Sequence, residues 1–291
     1  MHLVFRFRLL CPWVSSFPLF VHKSHSFDMA ASYWDSHCSR NLVSKDQLDF
    51  SHAEDRLLGL TREHIQQLNV YFCASIAELA KQLKLRQRVA ASAMIYFRRA
   101  YLCNNFCRMD PRLVYVACLY LACKAEESLL AAKHLAVHAK TLRPKWSYDV
   151  KDLLDMEMVL LEDLDFNLIV FSPYRDMATF LADAGVDTVC GQRAWGALND
   201  SYRSDVNLLY PPHIVALGCL CLAASASGVE LSQWLQRLDV DLNQVAAVVA
   251  ELSSLYMQHT YVISTDECHR LLDLVCQRWD SSSVGPGERR R

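Results

Sequence analysis

Glycine and proline are scarce in this chain, 8 of each among 291 residues, against roughly one position in eight in ordinary soluble proteins. Sheets and barrels use such turn residues about every 8–12 positions. The shortage therefore argues against an all-β fold and for helices joined by short links. An excess of one charge is lacking too. The net charge is −2, so no global field draws the chain to nucleic acid or to a membrane surface. Long apolar runs are missing as well: the uncharged stretch 9–21 is interrupted by Pro12 and Pro18 and is too short to cross a bilayer. The 12 cysteines include no Cys-x-x-Cys pair and sit mostly among Leu, Val and Ala, where a thiol acts as a small hydrophobe. Neither a disulfide framework nor a zinc site is expected, and a reducing compartment fits. Phosphate-loop, dinucleotide and nucleophile-elbow signatures are absent. His134 and His138 have metal-pair spacing, but no glutamate or third ligand accompanies them. No catalytic residue, metal or cofactor is expected.

What is present is a repeat. Pro111, Val114, Cys118, Leu119, Leu121 and Ala122 match Pro212, Val215, Cys219, Leu220, Leu222 and Ala223, always 101 positions apart. Tyr101 faces Tyr202 at the same offset. Each copy opens an apolar helix with a proline in the first turn, where the missing N–H costs nothing. A helix apolar nearly all round belongs at the centre of a bundle. The periodicity predicts helices over 61–83, 85–103, 110–126, 130–141 and 149–164, then over 173–184, 190–206, 211–227, 230–237 and 241–258, with one more over 266–279. Asp110 and Ser172 are the expected caps ahead of Pro111 and Pro173.

Function is expected where the copies differ. Lys124 faces Ser225 across the repeat and lies one turn beyond Tyr120 on an otherwise apolar ridge. Glu157 falls on the stripe of Leu153, Leu160 and Leu164, a carboxylate among leucines that needs a mate, since breaking a buried ion pair costs about 3–5 kcal/mol. Two readings stand: an internal Lys124–Glu157 pair, or the same two groups also reaching out to an incoming helix.

These residues carry a resemblance. Two five-helix repeats, with LACKAEE (121–127) closing the third helix and MEMVLLEDLDF (156–166) forming the fifth, resemble the cyclin family. SYWDSH (32–37), LKLRQRVAASAMIYFRRAY (83–101), LIVFSPYR (168–175) and LNDSYRSDVNLLYPP (198–212) resemble its C branch, whose members serve the Mediator kinase module. The first helix lacks the Met-Arg-Ala-Ile-Leu string with which cell-cycle cyclins grip substrates.

The resemblance implies an all-α fold of two tandem five-helix bundles with an N-terminal helix. Its parts are an extension over 1–28, an N-terminal helix segment over 29–56, a first box over 57–168, a second over 169–262, and a C-terminal helix with a basic tail over 263–291. The start of the match near Met29 fits an extension ahead of it. It implies a nuclear regulatory subunit that activates a cyclin-dependent kinase acting on RNA polymerase II transcription, with other Mediator kinase-module subunits as partners and neither nucleic acid nor membrane. The alternatives are another transcriptional cyclin or a DNA-binding general transcription factor. Lys124, Glu157, Glu127 and Tyr120 would hold the kinase, joined by Tyr33 and Trp34. Trp195, Asn199, Asp200 and Tyr202 form an aromatic–polar face that either packs in the core or takes a third subunit. Residues 81–112 hold eight cations against one acid, and 149–187 ten acids against two cations; solvated surface accounts for most of this.

Overall fold

The computed structural model describes Tyr33, Trp34, Ser36 and Ser39 together with residues 42–143, 146–258 and 263–281. The 1–28 extension and the basic tail beyond 281 lie outside the described residues. Among these residues every regular element is a helix.

One unit comprises Val43–Val170 and the C-terminal helix. It opens with two short helices, α1 (Lys45–Phe50) and α2 (Ala53–Leu57), where a single helix segment is expected. The break falls at Ser51 and His52, the latter left-handed at φ 55°. The bundle itself is α3 (Arg62–Gln82), α4 (Gln87–Cys103), α5 (Pro111–Ala125), α6 (Ala132–Leu142) and α7 (Val150–Asp163). Asp110 caps α5 as expected, accepting from the Arg112 amide at 2.8 Å. Leu113 through Cys123 are all buried, so α5 is the axis around which the bundle packs.

The second unit runs over Phe171–Thr260 and takes in the described residues before Val43. Its helices are α8 (Tyr174–Ala184), α9 (Thr188–Ser201), α10 (Val206–Leu209), α11 (Pro212–Ser227), α12 (Ser232–Leu235) and α13 (Leu242–Gln258). The last helix, α14 (Thr265–Ser281), belongs to the first unit. Here α11 is the buried axis. Two expectations change. The helix expected over 190–206 ends at Ser201, and that over 230–237 shrinks to one turn. Ser172 does not cap α8: the N-cap is Pro173, and the Ser172 hydroxyl meets the Tyr202 hydroxyl at 3.1 Å instead.

The offset of 101 extends to the helix ends. In the first unit the residues that close α3 and α5 in left-handed geometry are Lys84 and Glu127; in the second, Gly185 and Gly228 close α8 and α11 in the same way. Both central helices end in the same pair of bonds: Ser128 N to Cys123 O at 2.8 Å and Glu127 N to Lys124 O at 3.2 Å, against Val229 N to Ala224 O at 2.9 Å and Gly228 N to Ser225 O at 3.4 Å. This is a left-handed C-cap, normally given to glycine because a Cβ is crowded there.

Ten described cysteines are free thiols and most are buried. Burial pushes Cys123 up to about 11, in keeping with a packing role.

Candidate functional site

Lys124 stands in the last turn of α5 and Glu157 in the middle of α7, two helices that pack side by side. The Lys124 ammonium lies 2.7 Å from Glu157 Oε1 and 2.8 Å from Oε2, so the internal pair is formed. It is lopsided: the lysine side chain is 45% exposed and the glutamate side chain 7%. Leu153, Leu160 and Leu164 are buried around Glu157, as the stripe requires. The lysine also sits over the Tyr120 ring, 4.5 Å from its centre, a cation–π contact that adds direction to the charge pair. Burial works against the Lys124 charge, but the hydrogen bond and charge of Glu157 outweigh it and raise the pKa. The positive end therefore faces outward while its counter-charge is fixed below.

Large apolar side chains close to this pair in the chain are exposed. Leu154 and Met158 flank Glu157 on α7 and are exposed, as is Leu129 just beyond α5. None of the three was singled out in the sequence, although a signal exists: 154 and 158 lie one position to the side of the buried leucine stripe. Glu127, in its left-handed turn, is exposed. Its neighbour Glu126 is engaged internally, accepting from Ser92 Oγ at 2.7 Å and pairing with Arg88 at 2.7 Å.

The other expected kinase contacts, Tyr33 and Trp34, belong to the second unit. The Tyr33 ring meets Phe171 edge-on at 5.5 Å, and Trp34, still 63% exposed, meets His213 at 5.7 Å.

Of the four residues expected to form one aromatic–polar face, two are buried. Tyr202 is 1% exposed and Asp200 7%. Tyr256 donates to Asp200 at 3.0 Å, and Arg203 lies 3.7 Å from it. Tyr202 keeps helical dihedrals beyond Ser201 and is covered by Tyr174 of α8, ring centres 6.0 Å apart. Trp195 and Asn199 remain half-buried. Trp195 stacks on Tyr174 at 5.8 Å, whose hydroxyl donates to Asn199 at 2.8 Å.

No group of three or more potential metal ligands occurs among the described residues. His134 and His138 do meet, Nε2 to Nε2 at 3.3 Å. No helix among the described residues is long and apolar enough to cross a membrane.

Two helical bundles cut to one frame, the first ending its axis in an ion pair with a sunken carboxylate, define a protein of the cyclin-box class. The cyclin N-terminal domain profile matches residues 28–169. Cyclin-C1-2 of Arabidopsis thaliana is 38% identical over 234 residues, 79% of this chain and 92% of the relative. Cyclin-C of Drosophila melanogaster is 33% identical over 259 residues, 85% and 97% of the two. The chain belongs to the cyclin family, and these relatives are its C-type members. Cyclins are regulatory subunits rather than enzymes. Solved structures share the fold. A chain of the yeast RNA polymerase II CTD kinase CTDK-1 complex aligns with a TM-score of 0.65 at 18% identity, over 81% of this chain and 82% of that one. A chain of the yeast TFIIK complex gives 0.62 at 23%, over 77% and 100%.

Proposed function

We propose that this chain is the regulatory subunit of a cyclin-dependent kinase of the Mediator kinase module and acts in the nucleus on RNA polymerase II transcription. The observation that carries the reading is the Lys124–Glu157 pair with its half-exposed ammonium, together with exposed Leu154 and Met158 on the helix of Glu157 and exposed Leu129 just beyond α5. Such a surface offers one directed charge and apolar area to an incoming helix. Its C-type relatives and the kinase complexes named for its structural neighbours support the same reading.

The mechanism is allosteric. The kinase's mobile αC helix docks across the ends of α5 and α7, with Lys124 and Glu127 meeting its polar groups and Tyr120 supporting the lysine. Docking holds that helix inward, which completes the kinase's own Lys–Glu ion pair at the ATP phosphates. Chemistry stays with the kinase; this chain contributes differential affinity for the active state. A stable complex buries about 1,200–2,000 Å², more than this patch alone supplies. Tyr33 and Trp34 are a second contact for the kinase in this reading. Trp195 and Asn199 are the part of the expected groove left for a further subunit.

The test is copurification with the kinase and its activity. Lys124→Glu puts a second carboxylate beside Glu157 and reverses the outward charge, so capture and activation should both collapse. Full capture and normal activation by this variant would refute the assignment. A gel shift at physiological salt checks the absence of nucleic-acid binding, since phosphate-driven affinity falls steeply with salt.

A further inference from the structure

Away from the ion pair, α6 is thinly anchored in the first unit. Of its 11 residues only Leu135, Ala136 and Ala139 are buried, and no side chain caps its N-terminus at Ala131. His134 on this helix is exposed and His138, one turn on, is half-buried. Residues at i and i+4 are neighbours on a helix, and the same spacing serves the paired histidines of zinc helices. Spacing alone makes no site of them. The structure adds the meeting of their ring nitrogens. Nε2 lies 3.3 Å from Nε2, while the ring centres are 4.7 Å apart and the rings nearly perpendicular, at 88°. The nitrogens are closer than the rings that carry them, so they stand on facing edges.

Two interactions compete to explain that distance. In a hydrogen bond between neutral imidazoles, one Nε2–H would donate to the other Nε2. It would be a weak bond, because N–H donors ordinarily lie about 2.7–3.2 Å from their acceptors. A metal chelate fits better. Zinc binds imidazole nitrogen at about 2.0–2.1 Å in tetrahedral geometry, and two such bonds at the tetrahedral angle set their nitrogens about 3.3–3.4 Å apart. A square-planar ion with bonds of that length would need about 2.8–3.0 Å. The two side chains already hold the bite of a tetrahedral ion, so binding asks for little beyond fixing both tautomers with the proton on Nδ1.

The surroundings select the ion. Residues 132–142 include no Asp or Glu, only Lys133 and Lys140 beside the histidines, and Lys140 is turned to the Trp146 ring, 5.8 Å from its centre. Magnesium and calcium need oxygen ligands, whereas imidazole suits zinc and its transition-metal neighbours. We propose that His134 and His138 form a zinc site on the exposed side of α6, each ligating through Nε2, with water in the remaining positions. No group of three ligands occurs among the described residues, so the site is open and its effect is local. The chelate clamps one turn of a thinly anchored helix.

The test uses the full chain with zinc chloride, and magnesium chloride as the control. Thiols compete for zinc, Cys103 being exposed, so the site is read as the difference between wild type and the double variant His134→Ala/His138→Ala. Calorimetric titration should find one more zinc site in the wild type. Hydrogen exchange then locates it. At a zinc concentration about 100 times the dissociation constant, amides in the body of α6 should exchange up to about 100-fold more slowly, because a ligand that binds only the closed helix reduces the open population in that proportion. His134→Ala or His138→Ala alone should lose nearly all of this protection, since untying one of two linked ligands costs about 10²-fold in affinity. The variants should fold, alanine being the strongest helix former. Magnesium should change nothing. Equal zinc uptake by wild type and the double variant, or uptake that leaves exchange along α6 unchanged, overturns the proposal and leaves the two imidazoles as a surface contact.

Discussion

Removing either member of the Lys124–Glu157 pair breaks the same two contacts, but the costs differ because only one partner has water to fall back on. Lys124→Met strands a carboxylate whose side chain is 7% exposed. Glu157→Gln leaves a half-exposed ammonium free to hydrate. We expect Lys124→Met to destabilise by about 1–3 kcal/mol and Glu157→Gln by under about 1 kcal/mol, below the figure for a fully buried pair because the lysine is partly screened. Urea unfolding of the two variants measures the asymmetry, and equal losses would contradict it. The raised lysine pKa fixes the sign of the pH effect. The pair's contribution is complete below the ordinary lysine value near ~10.4 and is lost as pH rises through the higher folded value. The stability difference between wild type and Lys124→Met should therefore stay flat from neutral pH upward and shrink only in strong alkali. Glu127 supplies the matching argument from the backbone. It holds the left-handed turn that Gly228 holds in the second unit. Glu127→Gly should stabilise the first unit by about 0.5–1 kcal/mol, and Gly228→Ala, which meets nothing within 4 Å, should cost the second about 1 kcal/mol through strain alone. If Glu127→Gly also weakens kinase capture, the strained residue is kept for binding.

Helix against helix, one of the differences between the two axes is a glycine. Gly218 of α11 stands where α5 has Ala117. A Cβ at Gly218 would lie 2.5 Å from Val248 Cγ1 and 2.8 Å from Val248 Cβ, so α11 and α13 approach more closely than a methyl group allows. Gly218→Ala should destabilise by about 1–3 kcal/mol, the usual cost of overpacking. Adding Val248→Ala should restore only part of it, because the 2.8 Å contact remains; thermal melts of the single and double variants decide. The same scale shows what a sequence can disclose. Pro111 and Pro212 at the first turn, Asp110 at its cap and the leucine stripe around Glu157 act within a few residues, so periodicity and spacing revealed α5, α7, α11 and the ion pair. Contacts between distant segments leave no such trace. Tyr33 on Phe171, Trp34 beside His213 and the Tyr71 hydroxyl on Thr265 of α14 depend on which surfaces fold together. The burial of Asp200 and Tyr202 was hidden for a related reason: spacing along α9 marks a shared face but not which other helices cover it, here α8 through Tyr174 and α13 through Tyr256.

At the scale of the whole first unit, the segments on either side of its five-helix bundle are tied into it. Near the start, Asp55 is fully buried and bonded on every side. His52 Nδ1 lies 2.8 Å from it, and the amides of Phe106 and Cys107 donate to it at 2.7 and 2.9 Å. It thereby joins α2 to the link between α4 and α5, the link that presents Asp110 to cap the axis. At the other end α14 lays Cys268, Leu271, Leu272 and Val275 into the first unit with almost no exposure and reaches the start of α5 through Asp273, 3.5 Å from Arg112. The two ties differ in kind, and so should the results of cutting them. Asp55→Ala removes an acceptor from two buried amides at once and should cost about 3–5 kcal/mol. Truncation after residue 262 removes mostly apolar cover, about 1.5–3 kcal/mol for each large side chain lost, and opens the α3 face beside Tyr71 and Tyr115. Hydrogen exchange distinguishes them. Loss of Asp55 should raise exchange at the amides of Phe106 and Cys107 and along the first turn of α5, whereas loss of α14 should raise it along α3 while Phe106 and Cys107 keep their protection. A truncation that deprotected those two amides as strongly as Asp55→Ala would mean that α14, and not the buried carboxylate, holds the entrance to the central helix.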